Sequence, residues 1–202
     1  MVTEEFLAQL SSSAPVPGGG GVSALVGSLA AALCAMVGNL TTGKKKYAQY
    51  QADIERLIAE AEESRDRLYE FIRKDAEAFE PLSRAYSIPK EDPDRDEKLE
   101  AALIAAATAP LELLEEIEKL CSILDELLEK GSRLAISDVG VAAALTAAAA
   151  EGASMNIYVN TRLMKNKETA EEYDRKADAY VASIADRSRS VYEQVLALLK
   201  ER

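Results

Sequence analysis

The chain has 202 residues, 48% of them apolar, with no histidine, no tryptophan and a formal net charge of −11. That length suits one domain spanning residues 1–202 with a sizeable core, and so acidic a balance argues against nucleic acid or an anionic membrane as partner, since phosphate binding needs a basic face. The missing imidazole excludes Ser-His-Asp, Cys-His and HExxH sites, and two separated cysteines, Cys34 and Cys121, are too few for a transition-metal site.

Any catalysis must therefore use Asp, Glu, Lys, Tyr, Asn or backbone groups, with no metal or cofactor expected. The cysteines sit in apolar runs without CxxC spacing and read as buried thiols of a cytoplasmic protein. In chain order, a short first helix is expected after an N-cap at Thr3, with Glu4 and Glu5 at its positive end. A run of four glycines, Gly18 to Gly21, then leads into an uncharged second helix over residues 22–41. Glycine permits strained backbone angles and close approach of a ligand, so Gly18, Gly19 and Gly20 read as a turn lining a ligand site. Gly27, Ala31, Ala35 and Gly38 give the helix a narrow face for close packing.

The 22–41 run could span a bilayer by length, but acidic residues precede it, and Asp138 and Glu151 break the other apolar run at 134–159. The central helix of a soluble bundle is the expected role. Gly19 to Ala24 fits a loose GxGxxA pattern, and residues 38–45 (GNLTTGKK) stand one residue from a Walker A loop. No strand precedes the first and the second closes a helix, so neither reads as a nucleotide loop. Lys44, Lys45 and Lys46 follow. They suit either the negative end of a helix or an anchor for an anionic ligand on an acidic protein.

A third helix is expected over residues 49–86, ending before Ser87-Ile88-Pro89. Its seam of Ile54, Ile58, Ala61, Arg65, Leu68, Ile72, Asp75, Phe79 and Leu82 is apolar except at Arg65 and Asp75. Burial between Ile72 and Phe79 would raise the Asp75 pKa and suit it to proton transfer; alternatively, helical drift places it at the stripe's edge beside a Lys or Arg. A fourth helix, 94–130, is expected to kink at Pro110 and to end at Gly131. Ser137 or Asp138 would cap a fifth, reaching about residue 164, on which Asn156 and Asn160 share a face with Gly152 and Leu163. Amides there could read a heterocycle's hydrogen-bonding edge, or simply be solvated or bridge to a neighbouring backbone. A sixth helix covers 167–200. No β alternation survives, so the expected architecture is an all-α up-and-down bundle. Its long apolar helix sides suggest a homodimer, although Ala-rich faces could also pack within one chain.

These pieces resemble the cyclodeaminase/cyclohydrolase family, which includes the C-terminal domain of formiminotransferase-cyclodeaminase and stand-alone methenyltetrahydrofolate cyclohydrolases. The resemblance rests on Pro17-Gly18-Gly19-Gly20 with Val22-Ser23-Ala24, on Ala31-Ala32-Leu33 and Met36-Val37, and on Gly43-Lys44-Lys45-Lys46-Tyr47. Asp75-Ala76-Glu77-Ala78-Phe79, Pro110-Leu111, Ser137-Asp138 with Val141-Ala142-Ala143, Gly152-Ala153 and Asn156 with Asn160 extend it along nearly the whole chain. Ser132 departs from the Asn usual after the turn glycine.

The resemblance implies an all-helical, usually dimeric enzyme acting on tetrahydrofolate derivatives, with Asp75 as its acid-base group. Gly18, Gly19, Gly20, Lys44, Lys45, Ser137, Asp138, Asn156 and Asn160 are the substrate-binding candidates. The implied reaction is formimino-tetrahydrofolate cyclodeamination, with methenyltetrahydrofolate cyclohydrolysis as the alternative. A non-catalytic folate-binding scaffold would instead leave Asp75 exposed and ordinary.

Overall fold

Stretches rich in Ala, Leu, Glu and Lys favour helix throughout. The computed structural model describes residues 4–201. A short α1 (Glu4–Leu10) precedes five long helices: α2 (Gly19–Asn39), α3 (Gln51–Tyr86), α4 (Arg95–Lys130), α5 (Ile136–Thr161) and α6 (Lys167–Lys200). Short 3-10 segments, Lys45–Tyr50 and Arg133–Ala135, lead into α3 and α5. Among the described residues there is no strand. The expected cap at Thr3 lies outside the described residues.

Contacts between helices fix their directions. Gly38 faces Ile58, Gly27 faces Leu68 and Gly20 faces Asp75, so α3 runs antiparallel to α2. The Arg56–Glu126 ion pair and the Ser64–Glu116 hydrogen bond turn α4 back along α3. Gly19 faces Asn156 and Gly152 meets Ser23, which sets α5 antiparallel to α2. Tyr158 bonds Asp178 and Gly140 meets Val195, so α6 reverses once more. This is the up-and-down bundle expected, with α2 packed between α3 and α5.

Ile54, Leu57, Leu68, Leu114, Ile117, Leu120 and Leu124 are fully buried, each contributing about 1.5–3 kcal/mol by transfer from water. Opposite them α2 buries small residues, Ala24, Ala30, Ala31 and Cys34. This narrow surface lets its neighbours come close: a Cβ on Gly38 would lie 2.5 Å from Ile58 Cγ1. Burial pushes the thiol pKa values of Cys34 and Cys121 up to about 12 and about 11, so both stay protonated.

Several boundaries differ from expectation. Helix α2 starts at Gly19 instead of residue 22, so the glycines form its first turn. Helix α5 starts at Ile136, behind an Ala135 N-cap and the 3-10 turn, so neither Ser137 nor Asp138 caps it. It ends at Thr161, before the expected 164. Asn166 caps α6 by accepting from the Thr169 N–H. Gly131 does end α4, but at a φ of −72°; its lack of a side chain matters because a Cβ would lie 2.5 Å from the Leu127 carbonyl oxygen. Helix α4 continues through Pro110 and α3 through Pro81. In the α3 seam, Ser64 takes the buried place expected of Arg65, which turns outward to pair with Asp66.

Two helical stretches, Gly19–Asn39 and Arg133–Thr161, are long and apolar enough to cross a membrane, although the second was expected to be too interrupted. The first is mostly buried within the bundle. Leu29 and Met36 of α2, Leu40 just after it, and Val141, Met155 and Val159 of α5 are exposed.

Candidate active site

One end of the bundle gathers the start of α2, the later turns of α3 and the last turns of α5. Asp75 lies where the α3 seam passes the first turn of α2. Its Oδ2 accepts from the Gly21 N–H at 2.9 Å. Its Oδ1 occupies the space of a missing side chain: a Cβ on Gly20 would lie 2.0 Å from it. Glycine is therefore required at position 20 by the carboxylate's approach, whereas a Cβ at Gly18, Gly19 or Gly21 meets only ordinary contacts. The expected strained turn is a helix start with a carboxylate pressed against it.

Asp75 is half-buried and has no Lys or Arg partner among the described residues. Lys74, its neighbour, lies over the Phe71 ring instead. Burial raises the Asp75 pKa, and the Gly21 N–H opposes that shift only in part. Of the two readings of this residue, the structure matches the buried, unpaired one.

A cavity of about 290 Å³ opens above the carboxylate. Gly18, Gly19, Gly20 and Asp75 line its base, Phe79, Leu82 and Tyr86 of α3 form one wall, and Asn156, Val159, Asn160 and Leu163 form the other. Its size suits a bicyclic head group. Of these walls, the sequence marked Phe79 and Leu82 only as members of the α3 seam and Leu163 only as a neighbour of the asparagines, and it did not single out Tyr86 or Val159. Their signal was the same i, i+4 register that pairs Asn156 with Asn160.

Both asparagines are pinned by backbone. The Asn156 amide donates to the Gly152 carbonyl at 2.9 Å, and the Asn160 amide donates to those of Asn156 at 2.7 Å and Ala106 at 3.3 Å.

Lys44, Lys45, Ser137 and Asp138 lie at the opposite end of the bundle. The 21 residues of α2 separate them from Asp75, about 30 Å at 1.5 Å per residue. There Lys44 Nζ approaches Ser132 Oγ at 3.4 Å, and the Ser132 N–H donates to Thr41 Oγ1 at 2.8 Å. The Tyr47 hydroxyl accepts from the Arg133 N–H at 3.0 Å. That bond, with Ser132 and Lys46 close by, lowers the Tyr47 pKa. Ser137 is exposed and Asp138 half-exposed in the first turn of α5. Among the described residues no group of three His, Cys, Asp or Glu could hold a metal ion.

The profile of one family, described as Formiminotransferase-cyclodeaminase, matches residues 2–179. A methenyltetrahydrofolate cyclohydrolase of Methylorubrum extorquens is 37% identical over 95% of this chain and 94% of its own length. The mouse formimidoyltransferase-cyclodeaminase is 30% identical over 98% of this chain, which spans 36% of that longer protein. Among solved structures, formiminotetrahydrofolate cyclodeaminase from Thermotoga maritima superposes with a TM-score of 0.90, covering 98% of each chain at 28% identity.

Proposed function

This chain belongs to the formiminotransferase-cyclodeaminase family, and on that premise we propose that it is a cytoplasmic tetrahydrofolate one-carbon enzyme whose reaction turns on Asp75. The observation that carries this reading is the half-buried, unpaired carboxylate held against the glycine start of α2 at the base of a head-group-sized cavity. An exposed, ordinary Asp75 would have suited the non-catalytic scaffold.

We place hydrolysis of 5,10-methenyl- to 10-formyl-tetrahydrofolate first, because the relative at 37% identity that this chain matches end to end bears the name cyclohydrolase. Water adds to the methenyl carbon between N5 and N10 while Asp75 takes one of its protons. The carbon–N5 bond then breaks as the hydroxyl proton leaves and N5 gains a proton, which Asp75 can relay. One proton is released overall. A carboxylate of raised pKa serves both transfers, and the cavity holds the ring beside it.

The T. maritima neighbour favours a second reading, cyclodeamination. There N10 attacks the carbon of the protonated formimino group on N5, Asp75 takes the proton from N10 and returns it to the amino nitrogen, and neutral ammonia leaves as the methenyl cation forms. Incubating the protein separately with 5-formimino- and 5,10-methenyl-tetrahydrofolate, following methenyl absorbance and ammonia, separates the two. Turnover of neither would overturn the proposal.

The proposal includes a homodimer formed over the exposed apolar face of α2 and α5. A two-fold axis crossing α2 near its middle would set the lysine end of each copy beside the Asp75 end of the other. Lys44 and Lys45 would then anchor the glutamate tail, which a cavity of about 290 Å³ leaves outside. Neither lysine forms an ion pair with a carboxylate among the described residues. Replacing both should raise KM more for polyglutamylated than for monoglutamyl substrate, most strongly at low salt; equal effects would leave them only a helix-end role.

A further inference from the structure

Each asparagine amide has a donor end and an acceptor end, and their neighbours decide which end faces the cavity. Asn156 and Asn160 turn their NH₂ groups onto three backbone carbonyls, those of Gly152, Asn156 and Ala106. A carbonyl can only accept, so the reversed amides would set oxygen against oxygen. The amide oxygens are therefore the ends left over. Among the described residues neither oxygen accepts a hydrogen bond, although Asn160 is only 9% exposed. Asn160 also lines the cavity, so its oxygen is an acceptor open to a donor placed there. Asp75 adds a third acceptor group at the cavity's base.

We infer that Asn156 and Asn160 are specificity residues, a fixed pair of acceptors that selects a head group by its N–H donors. The inference rests on the folate reading above and deepens it. On a reduced pterin the matching groups are the 2-amino group and a ring N–H. One turn of helix places the two side chains about 5–6 Å apart on one face, so both can meet the same edge of a bicyclic ring. A ligand lacking the donors leaves a desolvated acceptor unpaired, and such a mismatch discriminates more strongly than lost apolar contact. Asp75 handles the proton at the reacting carbon; the asparagines decide which ring lies over it.

The test uses calorimetric binding of tetrahydrofolate and its 2-desamino-2-methyl analogue to the full chain, so that no turnover intervenes. The wild type should prefer the amino compound by about ten-fold or more. Asn156→Leu and Asn160→Leu, which keep the branched side-chain shape and favour the helix, should each reduce that preference severalfold by losing affinity for the amino compound alone. Variants that weaken both ligands equally, or retain the wild-type preference, would overturn the inference while leaving the folate reading intact. A wild type that binds neither compound would overturn both.

Discussion

Asp75 and Gly20 form one device. The carboxylate fills the space that a side chain at position 20 would need, so Gly20→Ala must displace it. The obstacle is the end of a flexible side chain, which can rotate aside without unfolding the bundle. Gly20→Ala is therefore expected to lower kcat about 10²-fold through misplacement of the proton-transfer group, with a small shift in melting temperature. Gly19→Ala, whose Cβ would meet Asn156 at 3.5 Å, should keep most activity. Wild-type turnover in Gly20→Ala would contradict this geometry. The raised pKa of Asp75 also has a sign in stability. A group whose pKa is higher in the folded state favours folding below its unfolded pKa and loses that contribution as pH rises through its folded value. Asp75→Asn should thus gain in melting temperature relative to the wild type between pH 4 and pH 7. A difference that does not change with pH would mean an ordinary carboxylate.

At the scale of the helices, α2 gives up side-chain volume for proximity. A Cβ on Gly38 would lie 2.5 Å from Ile58 Cγ1, but one on Gly27 would meet Leu68 at an ordinary 3.4 Å. Overpacking makes Gly38→Ala destabilising by about 1–3 kcal/mol, and Gly27→Ala should cost less; urea midpoints compare them directly. The small residues of α2 and the three-four seam of α3 were legible in sequence because burial imposes a period on them. The helix starts were less so. Ser137 and Asp138 have the chemistry of a cap, yet the 3-10 turn Arg133–Ala135 begins the winding before them. The glycines looked like a turn because their lack of side chains was visible, while the carboxylate that requires it at Gly20 lies 55 positions away in the chain, at Asp75.

Over the whole molecule, the two ends of the bundle carry different chemistry: a carboxylate, amides and apolar walls at one, lysines and Tyr47 at the other. Sequence marked the residues of both groups but not their separation, since motifs bracketing one helix read as neighbours until its length is counted. The exposed apolar strip of α2 and α5 joins the two ends. If a second copy covers it, Met155→Arg, at a position 61% exposed, should convert a dimer to a monomer in sedimentation velocity and weaken turnover. A wild type that sediments as a monomer at micromolar concentration would remove this part of the account. The central claim is that Asp75 carries the proton. The most direct measurement is the decay of methenyl-tetrahydrofolate absorbance, above the buffer rate, for the wild type and Asp75→Asn across pH. The account predicts wild-type catalysis that falls on the acid side with an apparent pKa above the usual aspartate range, and a variant that folds, binds and turns over about 10²–10⁴-fold more slowly. An Asp75→Asn variant with near-wild-type rate and the same pH profile would contradict it.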